Sequence, residues 1–292
     1  MKPPVFDYVR PSTIAEALAL REEHGDDAVF LAGGQSLMPA LNFRLAAPQL
    51  LIDLNRIPAL SAVDVDGDGS LVAGAMCRHR FFETSELVAE RLPLARGAMG
   101  SLAHVAVRNR GTIGGSLCHA DPSAEWPALC LACDAAMVLQ GSRGTRRVAA
   151  EDFSLGLFTT ALAPGELLTA VVFPAWPRRR GWGFQEVSRR LGDFALVGVA
   201  CVVDLDTDDE CTSARIVVFG ATDRPALQPA AASLLRGRRP SDDDVRRAAA
   251  RARDEVDCRF DHHASAEYRG RLVEALTARA LAQALRSAAA AR

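Results

Sequence analysis

"LAGGQSLMPAL", Leu31 to Leu41, decides how the chain is read. A β-like run, Ala28 to Ala32, breaks into two glycines and a polar pair, and the sequence then turns apolar again. Glycine lets a backbone approach a phosphate closely and turn its N–H groups inward, which holds an anion without lysine. A second pair, Gly114-Gly115, lies in "RGTIGGS" beside Thr112 and Ser116. At ordinary glycine usage about two such pairs arise by chance in a chain of this size. Taken alone, the glycines therefore fit two tight turns as well as two phosphate loops. Neither segment matches G-x-G-x-x-G or G-x-x-x-x-G-K-[ST], which disfavours the ordinary dinucleotide and P-loop readings.

Working outward, "STIAEALALREEHG" predicts a helix ahead of the first loop, with Thr13 and Glu16 as a capping box and Ile14, Ala17, Leu18 and Leu20 as its apolar face. "QLLIDL" (Gln49 to Leu54) reads as a buried strand closing a β-α-β-like unit near Asn55. Two short strands follow around Asp66-Gly67-Asp68-Gly69, then helical stretches through Ala132, then a hairpin turning at Gly141 to Gly144. "FPAWPRRRGWG" (Phe173 to Gly183) is the best domain boundary. Beyond it come two long strands joined by an Asp-rich turn and helices starting at Ser241 and Ser265. Tyr268, Leu272, Leu276, Leu281 and Leu285 mark the packing face of the alanine-rich last helix.

A net charge of −2 over 292 residues gives no footprint for nucleic acid or an anionic membrane. The longest apolar run, "LVGVACVV" from Leu196, is far short of the ~20 residues of a membrane helix. Seven irregularly spaced cysteines argue against a disulfide framework and for a reducing cytoplasm. Cys130 and Cys133 read as buried thiols, and no metal-ligating set is expected.

"LAGGQSLMPALNFRLAAPQLLIDLNRI", "VRNRGTIGGSLCHADPSAEWPAL", "ALAPGELLTAVVFP", "GDFALVGVA" and "DHHASAEYRGRL" stand in one order, and in that order the chain resembles the FAD-binding medium subunits of molybdenum hydroxylases, the group of xanthine dehydrogenase and aerobic carbon monoxide dehydrogenase. The resemblance implies an α+β fold. A PCMH-type FAD-binding domain at 1–177, with subdomains at about 1–55 and 56–177, would precede a C-terminal domain of antiparallel sheet and helices at 178–292.

By motif it places Leu31, Ala32, Gly33, Gly34, Gln35, Ser36 and Leu37 in a first FAD loop. Gly111, Thr112, Ile113, Gly114, Gly115 and Ser116 form a second, with the backbone N–H groups of Gly33 to Ser36 facing those of Thr112 to Ser116 across the pyrophosphate. Leu102 would border the cofactor, and Leu167 would meet it through its backbone. Glu125 stands where relatives often carry an aspartate for the sugar hydroxyls. Gln185 stands where some carry lysine, and Phe194 where a tyrosine often meets the isoalloxazine. Glutamine at 35 offers no ring to attack the flavin, so the FAD is expected to be non-covalent. No catalytic residue is expected in this chain.

The implied partners are a large subunit with molybdenum cofactor and a small one with two [2Fe–2S] clusters, assembled as (αβγ)2 in the cytoplasm and passing electrons to an external acceptor. A stand-alone flavin oxidase or reductase, and a non-catalytic nucleotide-binding module, are the alternatives.

Overall fold

Thr13 opens the first helix as the spacing predicts. Its hydroxyl accepts the Glu16 N–H at 3.1 Å, and the Glu16 carboxylate accepts the Thr13 N–H at 3.3 Å. In the computed structural model, which describes residues 2–291, this helix (Ile14–His24) joins two strands of a parallel sheet. Met1 and Arg292, the ends of the expected domains, lie outside the described residues. The strands run Asp7–Val9, Leu50–Asp53, Ala28–Leu31 across the sheet. Ala17, Ala28, Leu50, Ile52 and Leu54 form the core beneath the helix.

The next sheet is antiparallel, in the order Val63–Val65, Leu71–Gly74, Leu167–Phe173, Ala136–Gly141, Gly144–Ala149. Its first hairpin turns where the Asp-Gly signals stand, with Gly69 N–H donating to Asp66 O at 2.8 Å. Short helices fill the excursion from Gly74 to Ala136. The last of them, Glu125–Ala132, is buried at every residue, which is why "EWPALCLA" shows no polar face.

A third sheet, antiparallel throughout, holds Arg180–Ser188, Ala195–Leu205, Cys211–Phe219 and Ala226–Leu227. One face, with Phe184, Ala200, Val202, Val217 and Phe219, joins the core of the second sheet. The other packs on the helices Asp242–Glu255 and Ala266–Ala290. Both faces are covered, so residues 195–203 of this strand read as an unbroken apolar run rather than an alternating one.

The last helix packs on most of its expected face: Leu276 and Leu281 are buried and Leu272 and Leu285 pack against the same core, but Tyr268 is 40% exposed, and the buried stripe also takes in Val273, Thr277, Ala280, Ala284 and Ala288. The alanines are there because the sheet comes very close. A Cβ added at Gly181 would lie 1.9 Å from Ala284 O, and one at Gly183 1.9 Å from Ala280 O. No helix among the described residues is long and apolar enough to cross a membrane.

Candidate functional site

At the end of strand Ala28–Leu31 the chain leaves the sheet as an irregular loop before the short helix Leu37–Asn42. Gly34 has φ +73°, a conformation that costs other residues about 1–2 kcal/mol. Gly33 is required for a different reason: a Cβ there would meet Arg110 O at 2.3 Å and Gly111 Cα at 2.8 Å. The loop is thus pressed backbone to backbone against the second glycine segment. The N–H groups of Gly33, Gly34, Gln35 and Ser36 make no hydrogen bond among the described residues. Such a row of free amides is the chemistry that binds an anionic group.

Behind the loop a polar brace fixes its position. Asn55 Nδ2 donates to Ala32 O at 3.0 Å, and Asn55 N–H donates to Asp53 Oδ1 at 2.9 Å. The Arg78 guanidinium donates to both Asn55 Oδ1 and Arg110 O, tying the first sheet to the second glycine segment. Burial works to raise the Asp53 carboxyl, but hydrogen bonds from Tyr8 and Asn55 and the charge of Arg10 hold it below the usual range.

The second segment differs from the expectation of a loop. Gly114 and Gly115 lie in the first turn of a helix, Ile113–His119, capped by Thr112. Its amides are spent inside the protein: Ile113 N–H on Cys77 O at 3.0 Å, Gly114 N–H on Ala75 O at 2.8 Å, Gly115 N–H on Thr112 Oγ1 at 3.0 Å and Ser116 N–H on Thr112 O at 3.1 Å. Gly114 is glycine because a Cβ would sit 2.6 Å from that of Ala75. Two facing rows of free amides are therefore not what is built: one row faces a close-packed wall.

Loop and wall enclose a cleft of about 920 Å³, near the top of the roughly 300–1,000 Å³ range of small-molecule sites. Of the residues singled out from sequence, Ala32, Gly33, Gly34, Gln35, Ser36, Leu37, Leu102, Gly111, Thr112, Gly114, Gly115, Ser116, Glu125, Leu167 and Phe194 line it. Leu31 instead lines a smaller pocket of about 390 Å³ with Tyr8, Asp53 and Arg110. Ile113 is fully buried in the core.

Gln185 is a correction. It sits on strand Arg180–Ser188, and its Nε2 donates to Gln283 Oε1 of the last helix at 3.0 Å, outside the cleft. Phe194 arrives on the loop after that strand, where Gly192 (φ +85°) leaves no room for a Cβ beside the His104 ring. The Phe194 side chain is 59% exposed.

Sequence reading missed Arg108. It is 7% exposed and holds the Leu102–Ala103 turn into the cleft by donating to Leu102 O (2.9 Å) and Ala103 O (2.7 Å) while gripping both oxygens of Glu83. Arg21, Asp26, Val29, Phe30 and Ala46 were also missed; they extend the cleft along the first sheet.

The model of the FAD-binding domain in molybdopterin dehydrogenase matches residues 4–176, and that of the CO dehydrogenase flavoprotein C-terminal domain matches 182–284. The chain belongs to the FAD-binding medium-subunit family of the molybdenum hydroxylases. It is 40% identical to the alpha subunit of the 6-hydroxypseudooxynicotine dehydrogenase complex of Paenarthrobacter nicotinovorans, over 99% of this chain and 97% of that one. It is also 40% identical to the beta subunit of caffeine dehydrogenase of Pseudomonas sp. strain CBB1, over 97% and 96%. Carbon monoxide dehydrogenase from Hydrogenophaga pseudoflava contains a chain of the same fold, at TM-score 0.95 and 36% identity, covering 98% of this chain and 99% of that one.

In this medium subunit the wall behind the second glycine segment is held by a neutral histidine. Trp126 Nε1–H donates to His79 Nδ1 at 2.9 Å, and a Cβ at Gly111 would strike the same ring. Burial, then the charges of Arg78 and Arg108, lower the His79 pKa to about 3. An unfolded histidine titrates near 6.5. Below that pH the unfolded chain takes a proton that the folded one refuses, so stability should fall as pH drops from about 6.5 toward about 3. The slope from this one group is at most about 1.4 kcal/mol per pH unit. His79→Asn keeps an acceptor for Trp126 and should remove that part of the slope in denaturation curves measured across the window.

Cys130 and Cys133 are buried as expected, and burial pushes both thiols up, Cys133 to about 12. Neither is a reactive thiolate at neutral pH.

Proposed function

We propose that this chain is the FAD-carrying electron-transfer subunit of a molybdenum hydroxylase. It would accept electrons from [2Fe–2S] clusters of a small partner subunit and pass them to an external acceptor, within an (αβγ)2 assembly whose large subunit holds the molybdenum cofactor. The observation that carries this reading is the row of unused amides at Gly33, Gly34, Gln35 and Ser36, opening on a cleft of about 920 Å³.

The residues present fit FAD. The free N–H groups suit a pyrophosphate. Glu125, 5% exposed and lining the cleft, suits sugar hydroxyls. The apolar wall of Leu102, Leu162 and Leu167 with Phe194 suits an aromatic ring system. The protein's own work is to bind, to orient and to exclude water; FAD, when bound, supplies the exchange between one- and two-electron transfer. Glutamine at 35 supports non-covalent attachment. We place the FAD-binding domain at 1–177 and the C-terminal domain at 178–292, a division supported by the strands, none of which pairs across residue 177 among the described residues.

The test is reconstitution. Native mass of the tagged chain isolated from its own cells should include the two partner subunits, and substrate should bleach the flavin only with all three present. Substrate oxidation by this chain alone would contradict the proposal and favour a stand-alone flavin enzyme.

A further inference from the structure

The smaller pocket and the cleft share a wall. Ala32, Gly33, Gly34 and Gln35 line both, so the row of free amides stands at the rim between the two. Arg110 lines the smaller pocket beside these residues. Its backbone is pressed on the loop, with Arg110 O 2.3 Å from where a Gly33 Cβ would lie, and Arg78 fixes that oxygen by donating to it. Arg110 N–H donates to Val107 O at 3.0 Å, but its exposed guanidinium makes no hydrogen bond or ion pair among the described residues. The acid of the same pocket does not claim it: Asp53 accepts from Tyr8 and Asn55 and lies 3.4 Å from Arg10 Nε.

Charge is what the cleft itself lacks. Asp26, Asp121, Glu125, Glu166 and Asp193 line it, against Arg21 as its only arginine among the described residues. Arg21 is already spent on Asp26 at 3.1 Å and on Ala28 O at 2.8 Å. His79 is neutral, and the His119 ring lies 5.1 Å from that of Phe158. Backbone amides offer partial charges only, so a doubly charged pyrophosphate on the loop finds no full counter-charge in the cleft.

We propose that Arg110 is a phosphate-binding residue: from the smaller pocket its guanidinium closes on the pyrophosphate oxygens of FAD that the amides of Gly33 to Ser36 hold, and supplies the positive charge the cleft lacks. The planar fork of an arginine suits two phosphate oxygens at once. Because the Arg110 backbone packs on Gly33 and is tied by Arg78, its side chain starts from a fixed point beside the amide row. Burial and then the charge of Arg110 lower the Arg78 pKa, so an anion bound here also relieves repulsion between two guanidiniums.

The assignment rests on the FAD reading, and its test separates the two. The full-length chain, stripped of flavin, is titrated by fluorescence with FAD and with riboflavin, which has the same ring system and no phosphate. Arg110→Gln should weaken FAD about tenfold, the loss of one charge-assisted bond, and leave riboflavin unchanged. Arg110→Lys keeps the charge without the fork and should recover part of the loss. Inorganic pyrophosphate, followed by calorimetry, should bind the wild type about tenfold more tightly than Arg110→Gln. Raising salt from about 50 mM to about 500 mM should weaken FAD binding by the wild type more than by Arg110→Gln.

A wild type whose FAD affinity is indifferent to salt overturns the proposal without any variant. So does an Arg110→Gln chain that keeps wild-type FAD affinity, or one that loses riboflavin and FAD alike. A wild type that binds pyrophosphate through Arg110 but takes up no FAD upholds the phosphate site while defeating the cofactor reading.

Discussion

Gly33→Val should yield a folded chain that purifies without flavin, with FAD affinity lowered by about a hundredfold or more. An added Cβ at Gly33 meets Arg110 O at 2.3 Å, a backbone atom that no rotamer change can move aside. The Arg110–Gly111 segment is itself anchored: Gly111 N–H donates to Val107 O at 2.7 Å, His79 N–H donates to Gly111 O at 3.0 Å, and Arg78 grips Arg110 O. The glycine loop must therefore give way, taking its free amides with it. Losing two charge-assisted hydrogen bonds at about 1.5–3 kcal/mol each accounts for the expected drop. Gly34→Val carries the φ +73° strain and approaches side-chain atoms alone, Met38 Cγ at 3.2 Å and Leu31 Cδ1 at 3.4 Å, so its loss should be smaller. Flavin titration with circular dichroism distinguishes the two. Equal losses, or retained stoichiometric flavin in Gly33→Val, would contradict the geometry.

Arg269→Met should be the most destabilising single change in the C-terminal domain. Arg269 is 1% exposed in the first turn of the last helix. Its guanidinium donates to Gly220 O at 2.9 Å, to Leu196 O and to Asp261 Oδ2 at 2.6 Å, so one side chain closes the ends of two strands against the helix. Removing the cation leaves a carboxylate and two carbonyls without it. The cost expected for breaking a buried pair is about 3–5 kcal/mol, or about 10 °C of Tm in a chain of this size.

Burial opposes ionisation of Asp261, but the N–H groups of His263 and Ala264 together with Arg269 bring its pKa down to about 2. A depressed carboxylate stabilises the fold above the unfolded value near 3.9 and loses that contribution as pH falls toward about 2. The variant should therefore show a shallower acid limb as well as a lower Tm. Thermal melts at several pH values check both.

Local rules carried much of the fold into the sequence. Thr13 with Glu16, Ser241 with Asp244, and the Asp-Gly turn at 66–69 each satisfy backbone groups within a few residues, and each forms where it is read. The membership of the cleft was legible through motif order, but the work of its glycines was not. Gly33-Gly34 and Gly114-Gly115 are the same dipeptide. The first serves a close backbone approach and a positive φ, whereas the second lets a helix pack on Ala75, a contact made by distant chain.

The phase of strand Arg180–Ser188 was illegible for a different reason. Both of its faces are covered, so no polar and apolar alternation tells Gln185 from Glu186. His79 and Arg108 were missed because each acts through partners far along the chain, Trp126 at 47 residues and Glu83 at 25.

The central claim is that the cleft between residues 31–37 and 111–116 holds FAD through the free amides of the first loop and without a covalent bond. The most direct measurement is the flavin-to-protein ratio of the desalted full-length chain, before and after acid precipitation. The account predicts about one FAD per chain, all of it released into the supernatant. A chain that stays colourless after incubation with excess FAD, or flavin that remains with the precipitate, would contradict it.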